Sequence, residues 1–283
     1  MALFSLLVAI LVERLKLLPQ SLQFDQLMKL YQQRCWGADT LTKTPYALLA
    51  IFLPPVVTFV VLLLLDGIFY NVISLCVWVL IAIICFNHIE VRNVFKKYVL
   101  AACRGDVQAC YFYAGQLECH ECLDAVNEKE LGAKVGETVA WINYRYYGAV
   151  ALFLIMFGPV GAVLYCSLRF YDDLLVKHGA QIRWVTRLMH AVDWLPSRIF
   201  SFGFALSGRF SEGISAWSRY SLSIATPTRK IITKTASASE SMPEVSKAPI
   251  CVQSTLALLA LSKRNFLLLV TVLSVLTIFG VVN

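Results

Sequence analysis

Residues 46–65, YALLAIFLPPVVTFVVLLLL, hold no charged side chain. As a helix, such a run crosses the ~30 Å hydrocarbon core of a bilayer. Pro54-Pro55 lies inside it and predicts a kink. Residues 68–86 are again uncharged, with Asp66-Gly67 between the two runs. The spacing predicts a transmembrane hairpin over 46–86 with Asp66 at its tip. A third uncharged run, 147–168, is interrupted by Gly158-Pro159-Val160-Gly161. The last apolar run, within 265–283, follows Lys263-Arg264. Its far end is therefore expected away from the cytoplasm, since basic residues stay on the cytoplasmic side.

The polar stretches read differently. Residues 87–146 are expected to form a cytoplasmic helical segment. Val91, Val94, Phe95, Tyr98, Val99 and Ala102 make an amphipathic stripe, which ends at Arg104-Gly105-Asp106. Asp106 is placed to cap a second helix carrying Val107, Cys110, Tyr111, Ala114 and Leu117. Residues 118–136 are acidic and contain glycine, and read as a mobile loop. Residues 209–264 read as a basic flexible linker, because 222–250 are rich in Ser, Thr, Lys and Pro. Residues 1–18 form a short membrane or interfacial helix that ends in Glu13-Arg14.

The stretch 188–208 is long enough to span but contains His190, Asp193 and Arg198. One charge at a helix centre costs roughly 2.5–3.5 kcal/mol on insertion scales. Two topologies keep the 209–264 segment cytoplasmic. Either 188–208 crosses with Asp193 and Arg198 paired in the bundle interior, or 147–168 is re-entrant and turns at its Gly-Pro break. Residues 147–208 are accordingly assigned to transmembrane and broken or re-entrant helices.

Composition supports the bilayer reading. Hydrophobic residues make up 58% and charged residues 15%, against about 25% charged in soluble domains. The net charge of +7 is spread beside apolar runs rather than clustered on a polar domain. That pattern excludes a nucleic-acid binder and fits an orientation signal with anionic-lipid contact. Nine cysteines without framework spacing fit a reducing compartment. The start Met1-Ala2-Leu3-Phe4 lacks the basic n-region of a secretory signal.

Four constellations could carry chemistry. Asp193-Trp194-Leu195-Pro196-Ser197-Arg198 reads as a helix broken at Asp193 and restarted at Trp194, with Asp as cap and Pro in the first turn. Its plainer reading is an interfacial helix with a snorkelling Arg198. In Trp141-Ile142-Asn143-Tyr144-Arg145-Tyr146-Tyr147, Arg145 stands one turn from Trp141, in reach of a cation–π contact. The plainer reading there is an interfacial aromatic belt. Arg169-Phe170-Tyr171-Asp172-Asp173 offers two carboxylates, more often a solvated helix end than a metal site. Cys119-His120-Glu121-Cys122 lacks a second ligand pair at zinc spacing and reads as a loop thiol pair. No metal site and no cofactor are expected.

The Trp141–Tyr147 and Asp193–Arg198 motifs, with Glu13-Arg14-Leu15, Gly67–Val72, Tyr98–Asp106 and the lone C-terminal span, make the chain resemble the AmpE family nearly from end to end, while Cys119–Cys122 is not part of that pattern. That family is linked to β-lactamase regulation at the bacterial inner membrane. It looks like a distant branch of the CobD/CbiB membrane synthases, which join an aminopropanol phosphate to a corrinoid carboxylate. Pro196 and Arg198 match the synthases' Pro-x-Arg motif, and Asn143 and Asp172 fall near their conserved polar positions. The synthases' Asn-Thr-x-Asp is here Arg169-Phe170-Tyr171-Asp172, and their Glu-Asn-x-x-Asp is here Ile142-Asn143-Tyr144-Arg145-Tyr146. Oxygen ligands are lost and cations gained, which suits an anionic ligand better than a metal nucleotide.

The resulting expectation is an all-α, polytopic helical integral membrane protein of the inner membrane, set in the lipid bilayer. The resemblance implies a regulatory or signalling role in the β-lactam and cell-wall stress response. A small anionic ligand is expected at Asn143, Arg145, Arg169, Asp172, Asp193 and Arg198. Glu13, Arg14, Asp66, Arg104, Trp141, Trp194 and Pro196 are expected to be structural. The alternatives are an ATP-dependent, CobD/CbiB-like amide-forming synthase and, more weakly, a transporter. Oligomeric assembly is compatible with all three.

Overall fold

Helix α3 (Thr44–Leu65) continues through Pro54 and Pro55 for 22 residues. Each proline removes one backbone donor. The Thr58 hydroxyl donates to the Pro54 carbonyl one turn back at 2.9 Å. Leu49, Val56, Val57, Phe59, Leu63 and Leu64 of this helix are exposed. A helix apolar on all sides and left largely uncovered by protein requires an apolar solvent.

The structure is a computed structural model that describes all residues except 16–17, 37–43, 66, 68–70, 118, 120–121, 123, 178–182, 224, 241–248 and 281–283. Asp66, expected at the hairpin tip, lies outside the described residues. Among the described residues the elements are helical, without a strand. Four stretches among them are long and apolar enough to cross a membrane: Tyr46–Leu65, Val72–Cys103, Glu128–Lys177 and Ile250–Ile278. The protein is an all-α, polytopic helical membrane protein.

The chain divides into two compact units. The first comprises Met1–Asn87, Ala149–Asp193 and Leu273–Asn283. In it, α1 (Ala2–Leu15) packs on α4 (Val72–Phe86), and α8 (Ala149–Lys177) packs on α3, α4 and α2 (Phe24–Tyr31). The buried face of α1 is Ala2, Ser5, Leu6 and Ala9, a mostly small-residue stripe that permits close approach. Glu13 is half-buried and Arg14 exposed at its end. Within α8, Gly158 leaves helical geometry at φ 66 and ψ −162. The expected Gly-Pro interruption is therefore present. Pro159 disfavours helix at the residue before it, and only glycine takes that conformation without strain.

The second unit comprises His88–Gly148 and Trp194–Val272. Its core joins α5 (Ile89–Cys103), α6 (Val107–Gln116), α7 (Glu128–Asn143) and the start of α12 (Ile250–Ile278) through Tyr98, Ala102, Cys110, Leu131, Val135 and Val252. The predicted cap is observed: Asp106 accepts from the Ala109 N–H at 3.0 Å. Arg104 is the exposed C-cap residue of α5, and Gly105 follows at φ 74.

Several expectations are corrected. Much of the expected 118–136 loop is the first half of α7. The Asn127 side chain caps it by accepting from the Glu130 N–H at 2.8 Å, and Glu130 reaches back to the Val126 N–H at 3.0 Å. The 209–264 segment carries α10 (Phe210–Ser221), α11 (Thr228–Ser239) and the start of α12. Ile231, Ile232, Thr235, Ala236 and Ser239 are buried along one stripe of α11, which its Ser/Thr-rich composition disguises. Helix α9 (Arg183–Ser207) runs through Asp193 and Trp194 without the expected break and contains Pro196. Cys119 and Cys122 form a disulfide rather than a free thiol pair.

Candidate functional site

The residues nominated from sequence fall into both units. Arg169, Asp172 and Asp193 belong to the first, and Asn143, Arg145 and Arg198 to the second.

In the first unit, three polar links anchor α8. Tyr165 donates to Asp193 Oδ1 at 3.1 Å. One turn on, Arg169 Nη2 meets Asp25 Oδ1 of α2 at 2.7 Å. The Arg169 side chain is wholly buried, and Asp25 is partly exposed. Asp25 sits in the first turn of α2, where a carboxylate also suits the helix dipole. Two residues beyond Arg169, Tyr171 donates to Gln32 at 2.8 Å. Asp172 is half-buried on the same turn of α8. A buried charge persists only when paired or bonded, and these links meet that requirement inside the unit.

In the second unit, Arg198 fastens α9 to α10. Its Nε donates to the Ser221 carbonyl at 3.2 Å and its Nη2 to the Ser223 carbonyl at 2.9 Å. Its Nη1 donates to the Trp194 carbonyl at 3.1 Å and to the Ser197 hydroxyl at 3.2 Å. The guanidinium also lies 4.9 Å from the Trp194 ring centroid. Trp217 of α10 closes the bracket by donating to the Arg198 carbonyl at 3.0 Å. All three guanidinium nitrogens thus serve backbone or neighbouring groups. Pro196 is buried within this bracket.

The Trp141–Tyr147 motif adopts the predicted stacking. Arg145 lies 5.5 Å from the Trp141 ring centroid and is buried. Asn143 donates to the Val139 carbonyl one turn back at 2.8 Å. Tyr144 is fully buried and packs on Phe200 of α9, and Tyr146 is buried too. Those rings fill the unit's interior instead of forming an interfacial belt. Residues 144–148 adopt wide, π-type turns, a geometry often found at functional sites.

A cationic cleft escaped the sequence reading. It lies between α7 and α11, is lined by Lys134, Glu137, Thr138, Pro227, Arg229, Lys230, Thr233 and Lys234, and encloses about 360 Å³. The available signal was the i, i+4 spacing of Lys230 and Lys234 on α11. Assigning that segment to a linker hid it. Among the described residues, no cluster of His, Cys, Asp and Glu is suited to a metal.

The chain is 28% identical over 289 residues to Protein AmpE of Shigella flexneri, covering 99% of both chains. No solved structure matches it. The family described as "Regulatory signalling modulator protein AmpE" matches residues 1–283, and the chain belongs to that AmpE family.

Proposed function

We propose that the protein is a regulatory modulator of the response to β-lactams and cell-wall stress, acting from the bacterial inner membrane. The observation that carries this reading is the end-to-end family match, residues 1–283. The nominated polar residues take part as positioning groups: Arg198 brackets α9 and α10, Arg169 ties α8 to α2, and Asp193 holds Tyr165. Arg145, Asn143 and Asp172 complete the set as groups that fix the conformation on which signalling depends. A small anion bound near these cations remains part of the reading.

The test is a chromosomal deletion in the source bacterium. β-Lactamase induction and survival are measured after exposure to a sub-inhibitory β-lactam. An altered induction curve, restored by the wild-type gene and not by Arg198→Leu, supports the proposal. Induction and survival unchanged by the deletion overturn it. The synthase reading makes a separate demand: purified protein must consume ATP with an aminopropanol-phosphate acceptor, and Asp172→Ala must stop it.

A further inference from the structure

We propose that the cleft between α7 and α11 binds a phosphate-bearing anion. Four of its eight lining residues are cations, Lys134, Arg229, Lys230 and Lys234, against one carboxylate, Glu137. The local surplus is three positive charges. Glu130 does not line the cleft but meets Lys134 at 3.0 Å. Counting it still leaves a surplus of two. Like charges gathered on two short helix faces repel one another, and an anion among them relieves that repulsion.

The donors are built for the task. Glu137 is already engaged by the Lys234 ammonium at 3.3 Å and the Ser237 hydroxyl at 2.9 Å. Arg229 makes a long contact of 3.4 Å to the Thr138 hydroxyl, leaving its planar fork close to the cleft wall. An arginine fork and ammonium groups together match phosphate oxygens. Lys230 is held 5.4 Å from the Tyr220 ring centroid, which directs a flexible side chain. Helix α11 is fixed beneath the cleft by buried Ile231, Ile232 and Ala236. A volume of about 360 Å³ lies at the small end of ligand sites, which run from roughly 300 to 1,000 Å³. It suits a compact headgroup or a small phosphorylated metabolite.

The phosphate could belong to an anionic lipid or to a soluble molecule, and two arms separate these sources. The full-length protein is placed in phosphatidylcholine nanodiscs and titrated calorimetrically with inorganic pyrophosphate. In parallel, it is purified from mixed phosphatidylglycerol and phosphatidylcholine membranes, and retained lipid is counted by native mass spectrometry. Each arm compares wild type with Arg229→Gln/Lys230→Gln and with Lys96→Gln/Lys97→Gln. The second pair removes the same charge from exposed positions of α5.

Saturable pyrophosphate binding, weakened on the order of tenfold by the cleft pair alone, identifies a soluble phosphate ligand. Phosphatidylglycerol retention, lost in the cleft pair alone, identifies a lipid headgroup. Equal loss in both variants, or no anion bound in either arm by wild type, overturns the proposal. If the cleft pair is not monodisperse, Lys134→Gln/Lys230→Gln replaces it with the same criteria. Because binding is read on purified protein, this outcome is independent of the deletion phenotype.

Discussion

Arg169, fully buried on α8, donates to Asp25 at the start of α2 across 2.7 Å. The two residues are 144 positions apart in the chain. This pair gives α2 a fixed attachment to the bundle of the first unit. Removing one partner of a buried pair usually costs about 3–5 kcal/mol, because the other charge must be accommodated in a poor medium. Asp25 is 28% exposed on its side chain, so water offsets part of that cost. Asp25→Ala is expected to destabilise by about 3 kcal/mol, near the lower end of that range. Asp25→Leu with Arg169→Met is expected to recover most of the loss. Thermal unfolding in detergent measures both, and equal stability of wild type and Asp25→Ala would show that the pair holds nothing.

A second crossing rests on small residues. Gly132 and Gly136 stand four apart on α7 and face α12. A Cβ at Gly132 would lie 2.5 Å from the Cys251 carbonyl oxygen, and one at Gly136 would lie 3.1 Å from that of Ser254. Thr255 uses the approach to donate to the Gly132 carbonyl at 2.9 Å. Tyr98 donates to the Cys251 carbonyl at 2.7 Å. Backbone cannot yield as a side-chain tip can, so Gly132→Ala must push the helices apart. The expected loss is about 1–3 kcal/mol, as for other overpacked sites. Gly115→Ala, where an added Cβ meets nothing within 4 Å, serves as the control. A Gly132→Ala protein melting with the control would refute the crossing.

Thiol chemistry tests the packing of the second unit. Burial, and then the neighbouring Cys251, pushes the Cys110 thiol up to about 12. A raised thiol pKa keeps the unreactive protonated form across the physiological range. Cys103, on the preceding helix, is exposed. N-ethylmaleimide at pH 8 is expected to modify Cys103 in the folded protein and Cys110 only after denaturation. Mass mapping of the alkylated peptides distinguishes them. Modification of both at similar rates would mean that the core around Cys110 opens readily.

The spans were readable because a bilayer imposes a local pattern, a charge-free run of sufficient length. The Asp106 cap and the Arg145–Trp141 stacking were readable for the same reason, since each involves residues within one turn. The signals for α7 and α11 are local too, but weaker. Asn127 with Glu130 announces the start of α7, and Ile231, Ile232 and Ala236 mark the stripe of α11. In both cases polar composition outweighed periodicity in the reading. The partners of the nominated charges lie elsewhere in the chain. Nothing near Arg169 points to Asp25, and nothing near Asp193 points to Tyr165. The expected break at Asp193 failed because capping chemistry permits a helix start without requiring one, and α9 continues through it.

Gly158 offers the sharpest local test, because two independent causes act on one residue. Its φ of 66 and ψ of −162 lie in a region essentially reserved for glycine, where other residues bear roughly 1–3 kcal/mol of strain. A Cβ there would also stand 3.0 Å from the Trp78 ring edge. Gly158→Ala is therefore expected to destabilise by about 2–4 kcal/mol, adding some overpacking to the strain. Gly158→Ala with Trp78→Leu removes the steric part and leaves the backbone part. The double variant should recover some stability and remain below Trp78→Leu alone. Pro159→Ala restores a backbone donor and relaxes the restriction on residue 158. Combined with Gly158→Ala, it should allow the helix to close and recover more. If Gly158→Ala alone melts like wild type, α8 has no break at this position, and the Gly-Pro pair does not shape the helix.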